Sequence, residues 1–262
     1  MNTEFNPSYK KEVLGLALFL GELMLINGAE TYRVEDTIIR ICNSRGFNHI
    51  NVFTSPTAII ISDYKFDGYS FLKTIKSRSI DLQKISLLND FSRKFVSNKE
   101  ISVEEAKREI KKINRTESYS DLMQYISTGI GSAFVAGLLQ GNNIPTFIST
   151  FMTSILAFKI YNKIIKLSNI PAFSSLISSS FIALVGVILT YLNIISAPTM
   201  LVVGAIMPLL PGVSFIKGIR DLISGDLMSG VARAFDAGVT AVSIACGVGI
   251  VLDIWLRLGG VL

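Results

Sequence analysis

Histidine and cysteine are nearly missing from this sequence. There is one histidine, His49, and there are two cysteines, Cys42 and Cys246, far apart in the chain. A lone histidine on a strand-like stretch reads as structural, and two distant cysteines match no zinc or redox spacing. No G-x-x-x-x-G-K-[ST], H-E-x-x-H or G-x-S-x-G occurs, so nucleotide, zinc-protease and serine-hydrolase chemistry have no motif to stand on. No metal and no cofactor is implied. Charged residues make up 17% of the chain and are not interleaved with aromatics, which argues against a nucleic-acid platform. The net charge of +5 suits attraction to a membrane surface.

Apolar residues are what the sequence has in excess. Half of its 262 residues are hydrophobic, and the mean hydropathy is +0.49. The charges are unevenly spread: 18 Lys and Arg and 15 Asp and Glu fall between Met1 and Ser118, against 7 and 5 thereafter. The composition therefore predicts a membrane protein in two parts. Residues 1–118 form a small cytoplasmic α+β domain. Residues 119–262 form a bundle of five transmembrane α-helices with a Pro/Gly-broken fourth segment.

The first part reads helix, helix, two or three strands, helix, helix. Lys10-Lys11 before Val13–Leu20 resembles a signal peptide, but Glu22 interrupts the run and no cleavage site follows. Val13 to Ile26 is thus a buried core helix ending at Asn27-Gly28. An amphipathic helix from Glu30 to Arg45 presents Val34, Ile38, Ile41 and Cys42 on one face. Ile50–Thr54 and Ala58–Tyr64 have strand spacing, Phe66-Asp67-Gly68 is a turn, and Phe71–Lys76 is a candidate third strand. Asp81 caps a helix with Leu82, Ile85, Leu88, Phe91 and Phe95 inward. Ser102-Val103-Glu104-Glu105 opens the last helix as a capping box.

The second part has apolar segments near Leu122–Gln140, Thr146–Ile165, Phe173–Ile194, Pro198–Pro211 and Val231–Leu256. Gly129, Ala133, Gly137 and Gly141 form a small-residue stripe for close helix packing. The serines Ser174, Ser175, Ser178, Ser179 and Ser180 are placed to hydrogen-bond between helices. Pro208 and Pro211 interrupt the fourth segment, and as helix breakers they free the carbonyls of Gly204 and Met207. Short broken segments with charges beside them mark solute sites in transporters; a proline-capped helix end before a solvated loop accounts for the same residues.

Two stretches hold the candidate site residues. Glu30, Arg33 and Asp36 stand three apart on one helix, where acids at a helix start also satisfy the dipole. Lys217, Arg220, Asp221, Asp226, Arg233 and Asp236 follow the break at Pro211-Gly212. Together these stretches, Gly28-Ala29-Glu30-Thr31-Tyr32-Arg33-Val34-Glu35-Asp36-Thr37, Pro211-Gly212, Gly218-Ile219-Arg220-Asp221-Leu222-Ile223-Ser224-Gly225-Asp226 and Ser229-Gly230-Val231-Ala232-Arg233, resemble the threonine/serine exporter family over nearly the whole chain. The resemblance is to the N-terminal module of the split, two-component form. It implies a subunit of a secondary exporter of small amino acids, driven by an ion gradient, or of a dicarboxylate (succinate-like) exporter. It also implies a separate membrane partner resembling the family's C-terminal half, and an oligomer. Within that reading Arg220, Asp221, Asp226, Pro211 and Gly212 are candidates to bind substrate. Asp236, Arg233, Glu30, Arg33 and Asp36 are candidates for ion coupling or structure. A membrane-tethered enzyme centred on Glu30, Arg33 and Asp36, or a sensor domain on a membrane anchor, are the competing classes.

Orientation follows from Lys and Arg at the segment ends. Lys159, Lys163 and Lys166 flank one connection, and Lys217, Arg220 and Arg233 another, while Gly141–Pro145 and Asn193–Ala197 carry no charge. The N-terminal domain is therefore expected in the cytoplasm and the C-terminus outside, in a multi-pass protein of the cell membrane. A cysteine reporter at Asn142, in a background lacking Cys42 and Cys246, should react from outside the cell, and one at Lys163 only after permeabilisation. The reverse pattern would defeat the assignment.

Overall fold

The computed structural model of the protein describes residues 7–64, 70–76, 79–116, 119–140 and 143–259. In order its elements are α1 (Pro7–Ile26), α2 (Thr31–Ser44), β1 (Ile50–Ser55), β2 (Ala58–Asp63), β3 (Ser70–Thr74), α3 (Leu82–Ser97) and α4 (Val103–Asn114). Then follow α5 (Asp121–Gln140), α6 (Ile144–Ser168), α7 (Pro171–Tyr191), α8 (Pro198–Ile206), a 3-10 turn at Met207–Leu209, α9 (Gly212–Ile223) and α10 (Leu227–Arg257). The chain divides into two compact units. One is Met1–Ser118 with Ile216–Arg233; the other is Tyr119–Phe215 with Ala234–Leu262.

In the first unit α1 is the centre of the core, which is why it is apolar on nearly every side: Val13, Leu14, Leu16, Ala17, Leu20 and Met24 are all buried. Gly21 lets α2 lie close, since a Cβ there would come within 2.7 Å of the Ile38 side chain. The strands form one antiparallel sheet in the order β1-β2-β3, with Thr54 opposite Ile59 and Ile61 opposite Phe71. Ile59 and Ile61 face the core, and Phe53 and Leu72 on the opposite face are exposed, the alternation that a half-covered sheet requires. Asp81 caps α3 by accepting from the Lys84 amide at 3.0 Å, and Ser102 caps α4 by accepting from the Glu105 amide at 3.2 Å. Leu82, expected inward, is instead exposed: as the first residue of α3 it precedes the turns that reach the core. The Phe66-Asp67-Gly68 turn lies outside the described residues.

The second unit's α5, α6 and α7, and α10, whose first residues belong to the first unit, are each long and apolar enough to cross a membrane. The bent pair α8 and α9 raises the number of candidate spans to as many as five among the described residues. Most of the small-residue stripe packs within the chain. A Cβ at Gly129 would come within 2.8 Å of the Phe151 ring on α6, and Ala133 is buried; Gly141 lies outside the described residues. Ser174, Ser175, Ser178 and Ser179 are fully buried. Ser180 joins two helices by donating to the carbonyl of Gly247 on α10 at 3.1 Å.

At the break, the carbonyls expected to be free are not. The Met207 amide donates to the Gly204 carbonyl, and the Leu210 amide donates to the Met207 carbonyl at 3.2 Å. The chain tightens into a 3-10 turn, whose i to i+3 bonds recover the acceptors that the prolines leave behind.

At Gly204 α8 lies close to α5: a Cβ there would lie 2.8 Å from both the Ser132 carbonyl oxygen and the Ala136 Cβ. Because one neighbour is backbone, Gly204→Ala should destabilise the protein by about 1–3 kcal/mol, the range of overpacking. Gly15, with nothing within 4 Å of its Cβ position, should tolerate alanine or gain up to about 1 kcal/mol from helix propensity. Thermal unfolding in detergent micelles compares the two; equal melting temperatures would show that the α5–α8 approach is not tight.

Candidate functional site

The site grows out of the turn between α1 and α2. Helix α1 ends cleanly: Gly28 takes a left-handed φ of +89°, and the Asn27 side chain donates to the Leu23 carbonyl at 2.7 Å. Glycine is required at position 28 for that φ, and because a Cβ would lie 2.9 Å from the Ser79 carbonyl oxygen. The turn leaves the carbonyls of Gly28 and Ala29 at the end of a helix, where the dipole favours cations. Two cations take them. The Lys217 ammonium donates to the Gly28 carbonyl, and Arg233 Nη2 donates to the Ala29 carbonyl at 2.9 Å.

Both cations come from residues 216–233, which belong to the first unit. On α9 the buried positions are Lys217, Gly218 and Asp221, while Ile216, Ile219 and Ile223 are exposed. The helix thus turns its polar face inward. Asp221 is fully buried and lies 3.0 Å from Arg233 Nε, with Thr31 Oγ1 3.3 Å from its other oxygen. Gly225, at φ +90°, turns the chain from α9 into α10. Asp226 caps α10 by accepting from the Ser229 amide at 3.1 Å.

An outer layer sits on this inner one. Glu30 stands at the N-cap of α2, yet its side chain makes no capping bond. Its two carboxylate oxygens go to two arginines: Oε1 to Arg220 at 2.9 Å and Oε2 to Arg33 at 3.3 Å. Burial opposes ionisation of Glu30, but its own backbone amide, the charges of Arg33 and Lys217 and the Arg220 hydrogen bond outweigh it. They hold the carboxyl below its ordinary value. Burial likewise opposes ionisation of Asp226, and hydrogen bonds from Ser229 and Thr31 prevail and lower it. Glu35 goes the other way. Burial pushes it up, the nearby charge of Asp226 adds to that, and its 2.8 Å bond from the Thr54 amide only partly compensates.

The expected site residues therefore separate. Glu30, Arg33, Arg220, Asp221, Asp226 and Arg233 come together. Asp36 turns away and pairs with Arg40 at 2.9 Å on the exposed side of α2. Asp236 is exposed and belongs to the second unit, as do Pro211 and Gly212. Lys217, Thr31 and Ser229 join this cluster without having been assigned a binding role from the sequence. Lys217 had a signal: with Asp221 it makes a polar i, i+4 pair on a helix otherwise rich in isoleucine, valine and phenylalanine. Thr31 and Ser229 had none.

Comparison with known proteins bears on the chain as a whole. Residues 15–255 match the model of the ThrE family, described as "Putative threonine/serine exporter". The chain is 23% identical over 245 residues to a Mycobacterium tuberculosis protein named "Probable threonine/serine exporter", covering 92% of this chain and 46% of that one. It is also 23% identical over 258 residues to a Klebsiella aerogenes protein named "Probable succinate transporter subunit YjjP", covering 95% and 96% respectively. The chain thus spans about half of the mycobacterial relative and nearly all of the other. No solved structure matches.

The inner pair gives a direct test of how the cluster is held. Arg233→Met should cost about 3–5 kcal/mol, because it strands the buried Asp221 carboxylate. Replacing both partners, as Asp221→Leu with Arg233→Met, should recover much of that loss. Unfolding of the purified protein in micelles measures the cycle, and additive losses would mean the two charges are not coupled.

Proposed function

Starting from the fact that this chain belongs to the threonine/serine exporter family, we propose that it is a membrane-embedded subunit of a secondary exporter of small carboxylate-bearing metabolites. Threonine- and serine-like amino acids are the first class, and succinate-like dicarboxylates the alternative. The observation that carries the reading is the cluster around Glu30. It sets the guanidinium groups of Arg33 and Arg220 on one carboxylate, with the buried Lys217 ammonium near it, in a chain with four or five candidate spans among the described residues. Guanidinium forks suit carboxylates because two parallel N–H groups match two oxygens. Arg220 is assigned to the substrate carboxylate. Asp226 is assigned to a substrate ammonium or a carried proton, while Asp221 serves as the fixed partner of Arg233 and the gradient of an ion drives export.

In this reading residues 1–118 are a cytoplasmic domain and residues 119–262 the membrane domain, with the C-terminus outside. The chain works with a second membrane protein resembling the remainder of the longer relatives. Near-complete coverage of the Klebsiella protein, whose name calls it a subunit, supports the two-component form; 46% coverage of the mycobacterial protein fits the same division. The enzyme reading loses its motive, because Asp36 stands apart from Glu30 and Arg33.

The test is initial efflux of threonine, serine and succinate from proteoliposomes holding this chain with and without the proposed partner. Arg220→Lys and Arg220→Ala are compared at matched abundance and orientation. Both variants should lose about ten- to a hundredfold in rate, the worth of a charge-assisted hydrogen bond. Lysine keeps the charge but not the fork. Wild-type rates for Arg220→Lys would leave Arg220 as an orientation signal only.

A further inference from the structure

We propose that Glu30 is a resident stand-in for the substrate carboxylate: it occupies the clamp formed by Arg33 and Arg220 until a carboxylate from solution displaces it. The inference rests on the exporter reading above and deepens it by naming the group that competes for the site.

Four observations support it. Glu30 occupies a helix N-cap, where Ser, Thr, Asp and Asn are favoured for their bonds to the next amides. It makes no such bond, so its side chain serves the tertiary clamp and not the helix. Its two oxygens are divided between two arginines from different parts of the sequence, at 2.9 Å and 3.3 Å. Each arginine thus holds one oxygen of a carboxylate group, the same group a solute would present. Further, the clamp opens outward: the Arg33 and Arg220 side chains are 38% and 55% exposed, while that of Glu30 is 7% exposed. A solute meets guanidinium edges before it meets Glu30.

The fourth observation is the contrast between the two layers of ion pairs. Asp221 and Arg233, at 0% and 9% side-chain exposure, are locked, since separating a buried pair strands both charges away from water. The Glu30 pairs have arginine partners that reach solvent, so water and dissolved anions compete for those guanidinium groups as they cannot for Arg233. Thermal motion opens the outer layer while the inner one stays shut. The backbone need not move. The carbonyls of Gly28 and Ala29 stay fixed on Lys217 and Arg233, and the Glu30 carbonyl holds the Val34 amide at 3.2 Å. Side-chain rotation alone swings the carboxylate out. Entry of one carboxylate as another leaves keeps the charge of the clamp constant, so the exchange carries no uncompensated charge.

A latch of this kind weakens apparent affinity by the fraction of time it is open. Removing its charge should therefore tighten binding. The experiment measures the concentration dependence of initial efflux from proteoliposomes holding the full chain and the proposed partner, with L-threonine and with succinate as probes. For a latch shut about nine-tenths of the time, Glu30→Gln should lower the half-saturating concentration about tenfold. Glu30→Asp, which keeps the charge but shortens the arm, should lower it less, and it serves if the glutamine variant does not fold. Inhibition by threoninamide, which lacks the carboxylate, should not change. Measurable flux with an unchanged or raised half-saturating concentration in these variants overturns the latch and leaves the exporter reading standing. Absence of saturable flux of either probe from the wild type overturns both.

Discussion

The α1–α2 turn and the α9–α10 corner bend to one constraint: charges from α9 and α10 are buried and must be paired. Lys217, Asp221 and Arg233 are each nine-tenths or more out of contact with solvent, and an unpartnered charge there would cost several kcal/mol. The partners are the two carbonyls of the α1–α2 turn, Thr31, and the charges themselves. The turn consequently needs Gly28 in its left-handed conformation, so that the carbonyls of residues 28 and 29 face the cations. It also needs α1 to end where it does. The corner between α9 and α10 needs Gly225 and the Asp226 cap, so that Asp221 and Arg233 meet at 3.0 Å. A change to any one of these loosens the rest.

The same constraint explains the inverted helix. A surface helix of a soluble domain hides its apolar side, yet α9 hides Lys217, Gly218 and Asp221 and exposes isoleucines. In water this arrangement would waste apolar burial. Beside a bilayer it would not, because lipid would accept the isoleucines while protein satisfies the charges. The family membership and the inverted face thus support each other: a chain in a membrane can afford to turn its polar groups inward.

How much of this was legible follows from the range of the interactions. Elements fixed by local pattern were readable: the caps at Asp81 and Ser102, the alternation of Ile59 and Ile61, and the apolar lengths of α5, α6 and α7. The closeness of Glu30 to Arg33 was readable for the same reason, since three residues on a helix are neighbours. The pairing of Glu30 with Arg220, 190 positions away, has no local signature, and only the family resemblance set the two stretches side by side. The return of residues 216–233 to the first unit was hidden as well. Composition reads those residues as a charged connection between apolar segments, and it does not encode which surface a connection packs on. Asp36 misled because helical spacing gives proximity along an axis, whereas Glu35, one residue earlier, is the acid that turns to the Thr54 amide.

The break at Pro208 and Pro211 changes meaning once its hydrogen bonds are traced. Read as a helix with two missing donors, it offers bare carbonyls for a cation, as broken helices in transporters do. The 3-10 turn supplies donors to both the Gly204 and Met207 carbonyls, so neither is left bare. The proposed recognition therefore rests on ionised side chains and not on carbonyl coordination at the break. A site made of guanidinium, ammonium and carboxylate groups selects a ligand by the sign and shape of its charge. If the proposed carboxylate ligand binds there, the site also carries its own competitor, since the acids that pair its cations are the same functional group as that ligand. In such a site affinity is set by the difference between two similar exchanges and not by the strength of either. A modest change in one internal acid is then enough to alter which solute wins.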